Sequence, residues 1–197
     1  MRWLKTRSVV LLLGLLLLTA GSGASQLGGD FTLTDQYGER FQLDQLRGKV
    51  VLLFFGYTYC PDICPTELAS IAAVFDALEE RALQVQGLFV TVDPERDTPE
   101  VLNNYVRYFH EDLIGLTGTA AEIERVALQH RVRYSKHELD DGNYTIDHSA
   151  QLYVIDREGT LTSAVPYGLV AEHVLNVVDD LLRTGDRQVE SMRGERK

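Results

Sequence analysis

The run Val50-Val-Leu-Leu-Phe-Phe55 contains no polar residue and is rich in β-branched and aromatic side chains. Such a segment reads as a strand buried on both faces, which requires a sheet covered by helices on each side. After it comes Gly56-Tyr-Thr-Tyr-Cys60-Pro-Asp-Ile-Cys64-Pro65. Leu68, Ile71, Ala72, Phe75 and Leu78 then recur at helical spacing and predict a helix over Pro65–Arg81. Gln84–Val92 reads as the next strand and stops at Asp93-Pro94. Strand, helix and strand within about forty residues make a right-handed βαβ unit, so the core is α/β.

The flanking segments decorate this unit. Phe31–Thr34 and Arg40–Leu43 alternate around the turn Asp35–Gly38 and predict an N-terminal β-hairpin. Thr98-Pro99-Glu100 opens a second helix with proline where its missing N–H costs nothing. Residues 113–116 are too few to assign. Thr119-Ala-Ala-Glu122 has capping-box spacing and starts a third helix ending near His130. Val132–Leu139 and Tyr144–Ile146 flank Asp140–Asn143 as a second, inserted hairpin, and Gln151–Ile155 with Thr160–Pro166 forms a further strand pair. A last helix covers Val170–Leu182, and the polar tail, residues 184–197, is expected to be disordered. This order suits a thioredoxin-like fold over residues 25–183, with one hairpin at its N-terminus and another before its closing strands.

Residues 1–24 have the features of an export leader: Arg2, Lys5 and Arg7, then the apolar run Val9–Ala20, then small residues with Ser22 and Ala24 at cleavage-site spacing. The same stretch is close to the length of a spanning helix, so cleavage and retention as a membrane anchor are both open. Either way the following domain is expected outside the cytoplasm, periplasmic or on the extracytoplasmic face of a membrane. Without the three basic residues of the leader, 16 Lys and Arg remain against 29 Asp and Glu, a formal charge of −13. That balance argues against nucleic acid or anionic lipid as a partner.

Only two cysteines are present, too few for a disulfide framework. Cys60 follows the buried strand, and Pro65, tolerated only in a first helical turn, places Cys64 at a helix start. There the helix dipole favours thiolate, and two thiolates in one tight loop suit a soft ion such as copper or zinc. A plain disulfide closing a short loop fits the same spacing. Position weighs against it, since open α/β sheets place their sites at the ends of central strands.

A dithiolate needs a further ligand, sought among five histidines. His110, His130, His137 and His173 are read as surface residues. His148 differs, lying in Ile146-Asp-His-Ser149 just before Gln151–Ile155, where a connecting loop of this fold approaches the cysteine loop.

The segment Gly56–Pro65, the stretch Val92-Asp-Pro-Glu-Arg-Asp-Thr-Pro99, and Asp147-His-Ser149 ahead of Tyr153-Val-Ile-Asp156 together resemble the Sco/SenC family of copper-binding proteins that help assemble cytochrome c oxidase. The resemblance covers about Phe31 to Leu182 and implies copper, Cu(I) or Cu(II), on Cys60, Cys64 and His148. It implies a metallochaperone for the binuclear copper centre, with the copper-bearing oxidase subunit and other copper chaperones or thiol reductants as partners. Tyr59 stands where many relatives have histidine, which leaves the three implied ligands untouched. Asp93 has two readings, a carboxylate supporting the site or a turn former.

Two enzyme classes compete. A thioredoxin-type oxidoreductase normally has two residues between its cysteines and a facing proline, whereas this chain has three, and His148-Ser149 instead of the proline. Cys64-Pro-Thr-Glu67 is similar to a peroxiredoxin motif, but Tyr57 and Pro61 replace the proline and threonine that would orient a peroxide. Thiol–disulfide reduction of target cysteines remains as a companion reading, because copper loads only onto reduced sulfurs.

Overall fold

The computed structural model describes residues 27–140, 142–169 and 171–194. The expected leader, residues 1–24, lies outside the described residues. Among those described, no helix is long and apolar enough to cross a membrane.

Val50–Gly56 is strand β3, and every residue in it is buried. The hairpin β1 (Thr32–Asp35) and β2 (Arg40–Gln42) precedes it. Helix α1 (Ile63–Leu78) and strand β4 (Val85–Thr91) follow, and β4 lies parallel to β3 from Val50↔Val85 to Gly56↔Thr91. The crossover predicted from the sequence is therefore present. The helix stops before Arg81 because Glu79 takes a positive φ of 51°, and a 3₁₀ turn covers Glu79–Gln84.

Helix α2 (Pro99–Phe109) begins with the Thr98 hydroxyl accepting from Val101 N–H at 3.3 Å. Residues 114–117 form β5 (Ile114–Thr117), parallel to β4; its four residues carry too little pattern to be read alone. Helix α3 (Ala120–Gln129) carries the predicted capping box in full. Strands β6 (Tyr134–Glu138) and β7 (Tyr144–His148) form the inserted hairpin, followed by β8 (Leu152–Ile155) and β9 (Leu161–Val165).

Seven strands make one sheet in the order β2-β1-β5-β4-β3-β8-β9, with β6 and β7 paired only to each other. β8 is antiparallel to β3 and β9 to β8, which closes a thioredoxin-like core. The N-terminal hairpin does more than decorate: β1 pairs antiparallel with β5 and extends the central sheet.

Alternation along β3 assigns the helices to faces. Gly56 faces Cys64 of α1, whereas Phe55 meets His130 at the end of α3 and Tyr153 of β8. His130 is thus a core residue, 1% exposed, contrary to its reading as a surface histidine. Its Nδ1 pairs with the Val126 carbonyl at 2.9 Å, which makes burial of a neutral imidazole tolerable, and burial holds its pKa below the usual value.

The last helix, α4 (Ala171–Gly194), runs past the expected end at Leu182 and, as far as Gly194, through the segment 184–197 expected to be disordered. Arg183 pairs with Asp180 at 3.1 Å, the Thr184 hydroxyl donates to the Asp180 carbonyl at 2.8 Å, and Arg187 reaches the Thr184 hydroxyl at 3.4 Å. Partners three and four residues apart support the helix as far as Arg187.

Helix α1 sits on β4 where the sheet has no side chain. A Cβ on Gly87 would come 2.6 Å from Leu113 Cδ2 and 3.1 Å from Phe75 Cζ. Gly87→Ala is therefore expected to lower unfolding free energy by about 1–3 kcal/mol through overpacking, read as a lower urea midpoint at unchanged m-value.

Candidate metal centre

The site begins where β3 ends. A Cβ on Gly56 would lie 2.6 Å from Cys64 Sγ and 2.9 Å from Phe89 Cε2, so only glycine lets α1 bring its second residue against the strand. The strand stops at Gly56, four residues before Cys60, and the chain turns through Tyr57–Asp62 before the helix starts. Cys60 N–H donates to the Tyr57 carbonyl at 3.2 Å within that turn.

The turn is fastened from below by a residue that the sequence reading passed over. Asp97 is fully buried; its carboxylate accepts from Thr58 N–H at 3.0 Å, from the Thr58 hydroxyl at 2.6 Å and from the Thr91 hydroxyl at 2.6 Å. Burial pushes its pKa up, and these donors oppose that. The signal was present in Asp93-Pro-Glu-Arg-Asp97, but nothing in the spacing says that the second aspartate turns inward.

His148, the last residue of β7, completes the group. Its Nδ1 lies 2.9 Å from the Ser149 carbonyl, which can only accept, so Nδ1 carries the proton and Nε2 keeps its lone pair. That Nε2 is 3.4 Å from Cys64 Sγ. The ring stands edge-on to Phe54 and Tyr57, with centroids 6.1 and 5.8 Å away. The Tyr57 hydroxyl in turn pairs with the Thr145 hydroxyl at 3.0 Å, one strand face away from the imidazole.

Both sulfurs and the His148 nitrogen lie within 4.8 Å of one another. Among the described residues this is the one cluster of three or more cysteine, histidine or carboxylate groups placed to hold a metal ion. The other histidines stay away: His110 packs on Phe75 at 4.8 Å, His130 is in the core, His137 faces Asp147 at 3.1 Å on the outside of the hairpin, and His173 is exposed on α4. Asp93 touches none of the three; its carbonyl closes the turn to Arg96 and Asp97, and its carboxylate binds Tyr144 and Arg96.

The two sulfurs are not alike, although the helix dipole suggests thiolate for both. Cys60 is half-buried, and the Cys64 thiol that donates to it holds its pKa well below the usual thiol range; burial opposes this, while the amides of Asp62 and Cys64 reinforce it. Cys64 is fully buried, and donating to Cys60, desolvation and the Cys60 charge push its pKa up. The metal-free pair is one surface thiolate and one buried thiol. A bound cation would take the place of the second proton. Behind the pair, burial pushes the Glu67 carboxyl up to about 7.

In reduced, metal-free protein, iodoacetamide should therefore modify Cys60 and spare Cys64. The Cys60 rate should stay nearly flat from about pH 8 to about pH 6, where an ordinary thiol loses about tenfold per unit. Mass mapping of the alkylated peptide checks both points, and preferential labelling of Cys64 would contradict the assignment.

Known proteins similar to this chain place it in a family. The SCO1/SenC family model matches residues 19–183. An SCO2-like protein of Rickettsia prowazekii is 46% identical over 136 residues, 68% of this chain and 66% of that protein. The mitochondrial SCO1 homolog of Homo sapiens is 41% identical over 140 residues, 70% of this chain and 46% of that protein. The chain thus spans less than two thirds of the length of either relative. Bradyrhizobium japonicum ScoI, solved with copper bound, superposes with a TM-score of 0.73 at 42% identity, covering 79% of this chain and 99% of that one. Arabidopsis thaliana ScoI with copper bound gives 0.75 at 39% identity, covering 80% and 99%. With one family model spanning most of its length and two copper-bound members sharing its fold, this chain belongs to the SCO1/SenC family.

Proposed function

We propose that this chain binds copper through Cys60, Cys64 and His148 and serves as a metallochaperone for the binuclear copper centre of cytochrome c oxidase. The observation that carries this reading is the convergence of two sulfurs and one imidazole nitrogen within 4.8 Å, on a family fold whose relatives are solved with copper bound. Two sulfurs suit Cu(I), and an imidazole makes Cu(II) acceptable to the same site.

The copper is cargo, and the chain's residues act on it in sequence. Cys60, the thiolate at the surface, meets the incoming ion first. Cys64 gives up its proton as its sulfur enters the coordination sphere, and His148 offers Nε2 because Ser149 holds the proton on Nδ1. The site opens into a cleft of about 390 Å³ lined by Tyr57, Pro61, Asp62, Thr145 and Asp147, through which donor groups of a partner can replace Cys60 first. Delivery is ligand exchange, so no electrons move and no covalent bond is made. The partners on this reading are the copper-bearing oxidase subunit, other copper chaperones and thiol reductants. Residues 1–24 act as a leader or anchor that holds the domain, residues 25–183, outside the cytoplasm.

A second reading rests on the asymmetry of the cysteines. A half-buried thiolate beside a fully buried thiol is the arrangement of an attacking and a resolving pair. Cys60 would attack a target disulfide, Cys64 would then displace the mixed disulfide, and as Cys60 and Cys64 become a disulfide the target would gain two electrons, one proton released by Cys64 and a second proton from solvent.

Reduced protein lacking residues 1–24 should take up one copper ion per chain, and Cys64→Ala or His148→Ala should weaken it by more than about a hundredfold, beyond what loss of an outer support costs. Competition titration against a chelator measures this. Stoichiometric uptake unchanged by either substitution would remove the site. Restoration of thiols in an oxidised target peptide by metal-free protein, with no copper uptake, would favour the reductase.

A further inference from the structure

The strand that delivers His148 does not belong to the main sheet. β6 and β7 pair only with each other, from Tyr134↔His148 to Glu138↔Tyr144, so no backbone ladder fixes the hairpin relative to the cysteines. Along β7 the side chains alternate, and Tyr144, Ile146 and His148 share the inward face. Ile146 is buried in the core, and His148 meets Cys64.

Tyr144 is held chiefly through Arg96. The Arg96 guanidinium lies 3.7 Å from the centroid of the Tyr144 ring, within the range of a strong cation–π contact. Its Nη1 donates to the Tyr144 carbonyl at 3.1 Å and to Asn143 Oδ1 at 3.2 Å, while its Nε donates to the buried Asp93 carboxylate. The Tyr144 hydroxyl donates to the other oxygen of Asp93 at 2.9 Å. On the far side, Arg96 faces Tyr59 at 4.6 Å and Tyr57 at 5.8 Å, the residues of the cysteine loop itself. Lys136 adds a second cation over Tyr144 at 3.6 Å and pairs with Glu95 at 3.3 Å.

We infer that Arg96, locked to Asp93, is a positioning residue for His148: it clamps the far end of β7 against the cysteine loop and so sets where the imidazole stands. Tyr144 and His148 are four positions apart, about 13 Å of extended strand, stiff enough to pass a displacement at one end to the other. A lysine at position 96 would keep the charge over Tyr144 but lose the fork that holds Asp93, Asn143 and the Tyr144 carbonyl at once. The inference rests on the copper reading only for its metal readout.

The test uses Arg96→Gln and the near-isosteric Tyr144→Phe, which removes only the bond to Asp93, with Arg96→Lys as the conservative control. In metal-free protein, NMR contacts between the His148 ring protons and the rings of Phe54 and Tyr57 report the clamp directly. They should weaken in Arg96→Gln, weaken less in Tyr144→Phe and be partly kept in Arg96→Lys. With Cu(II), Arg96→Gln should lose nitrogen coupling in the EPR spectrum toward that of His148→Ala and bind about tenfold more weakly, as expected for loss of an outer support. Parent-like ring contacts in both Arg96→Gln and Tyr144→Phe would overturn the inference. If Arg96→Gln fails to fold, parent-like contacts in Tyr144→Phe do the same. Failure of the parent to bind copper would defeat the metal reading while the ring contacts still decide the clamp.

Discussion

The site depends on the contact between Gly56 and Cys64. A backbone without a Cβ at the end of β3 lets the Cys64 sulfur sit on the sheet, and that places the first turn of α1 directly above the strand exit. Six residues must then span Tyr57–Asp62 and fold back, which brings Cys60 beside Cys64. The same closeness makes Cys64 fully buried and leaves Cys60 half-exposed. Packing thus imposes the electrostatic difference between two chemically identical residues.

Around this contact the polar groups form two supports of different kind. Asp97 is buried beneath the loop and spends its carboxylate on Thr58 and Thr91, tying the cysteine loop to β4. Asp93 and Arg96 reach outward and tie the same region to the hairpin. Five residues of one turn therefore face in two directions. Pro94 at the second position of that turn favours the bend that makes this geometry available. Buried carboxylates of this sort cost desolvation, and the donors to each oppose that cost.

Much of this was legible before the fold was known. Val50–Phe55, the helical spacing through Leu78 and the capping box at Thr119 each carry a local periodicity or cap, and each element is present, with the first helix ending at Leu78 and not at Arg81. Residues 114–117 were not legible, because a four-residue strand draws its stability from its neighbours. His130 misled for a similar reason: the position at a helix end is right, but only the packing of Phe31, Phe55 and Tyr153 around it makes it core.

By itself the sequence determined the α/β core, the place of the cysteine pair at a strand exit and helix start, and, through resemblance, the third member of the group. These follow from short-range rules: periodicity, the conformational limits of proline, and motif spacing. Only the tertiary structure decided that Cys60 carries the charge and Cys64 the proton, that Asp97 turns inward, and that Arg96 joins the hairpin to the cysteine loop. The hydrogen bond between the two cysteines together with burial sets the first property, and hydrogen bonds between residues 39 and 48 positions apart set the other two; no local pattern encodes which groups will be buried or which distant groups will meet.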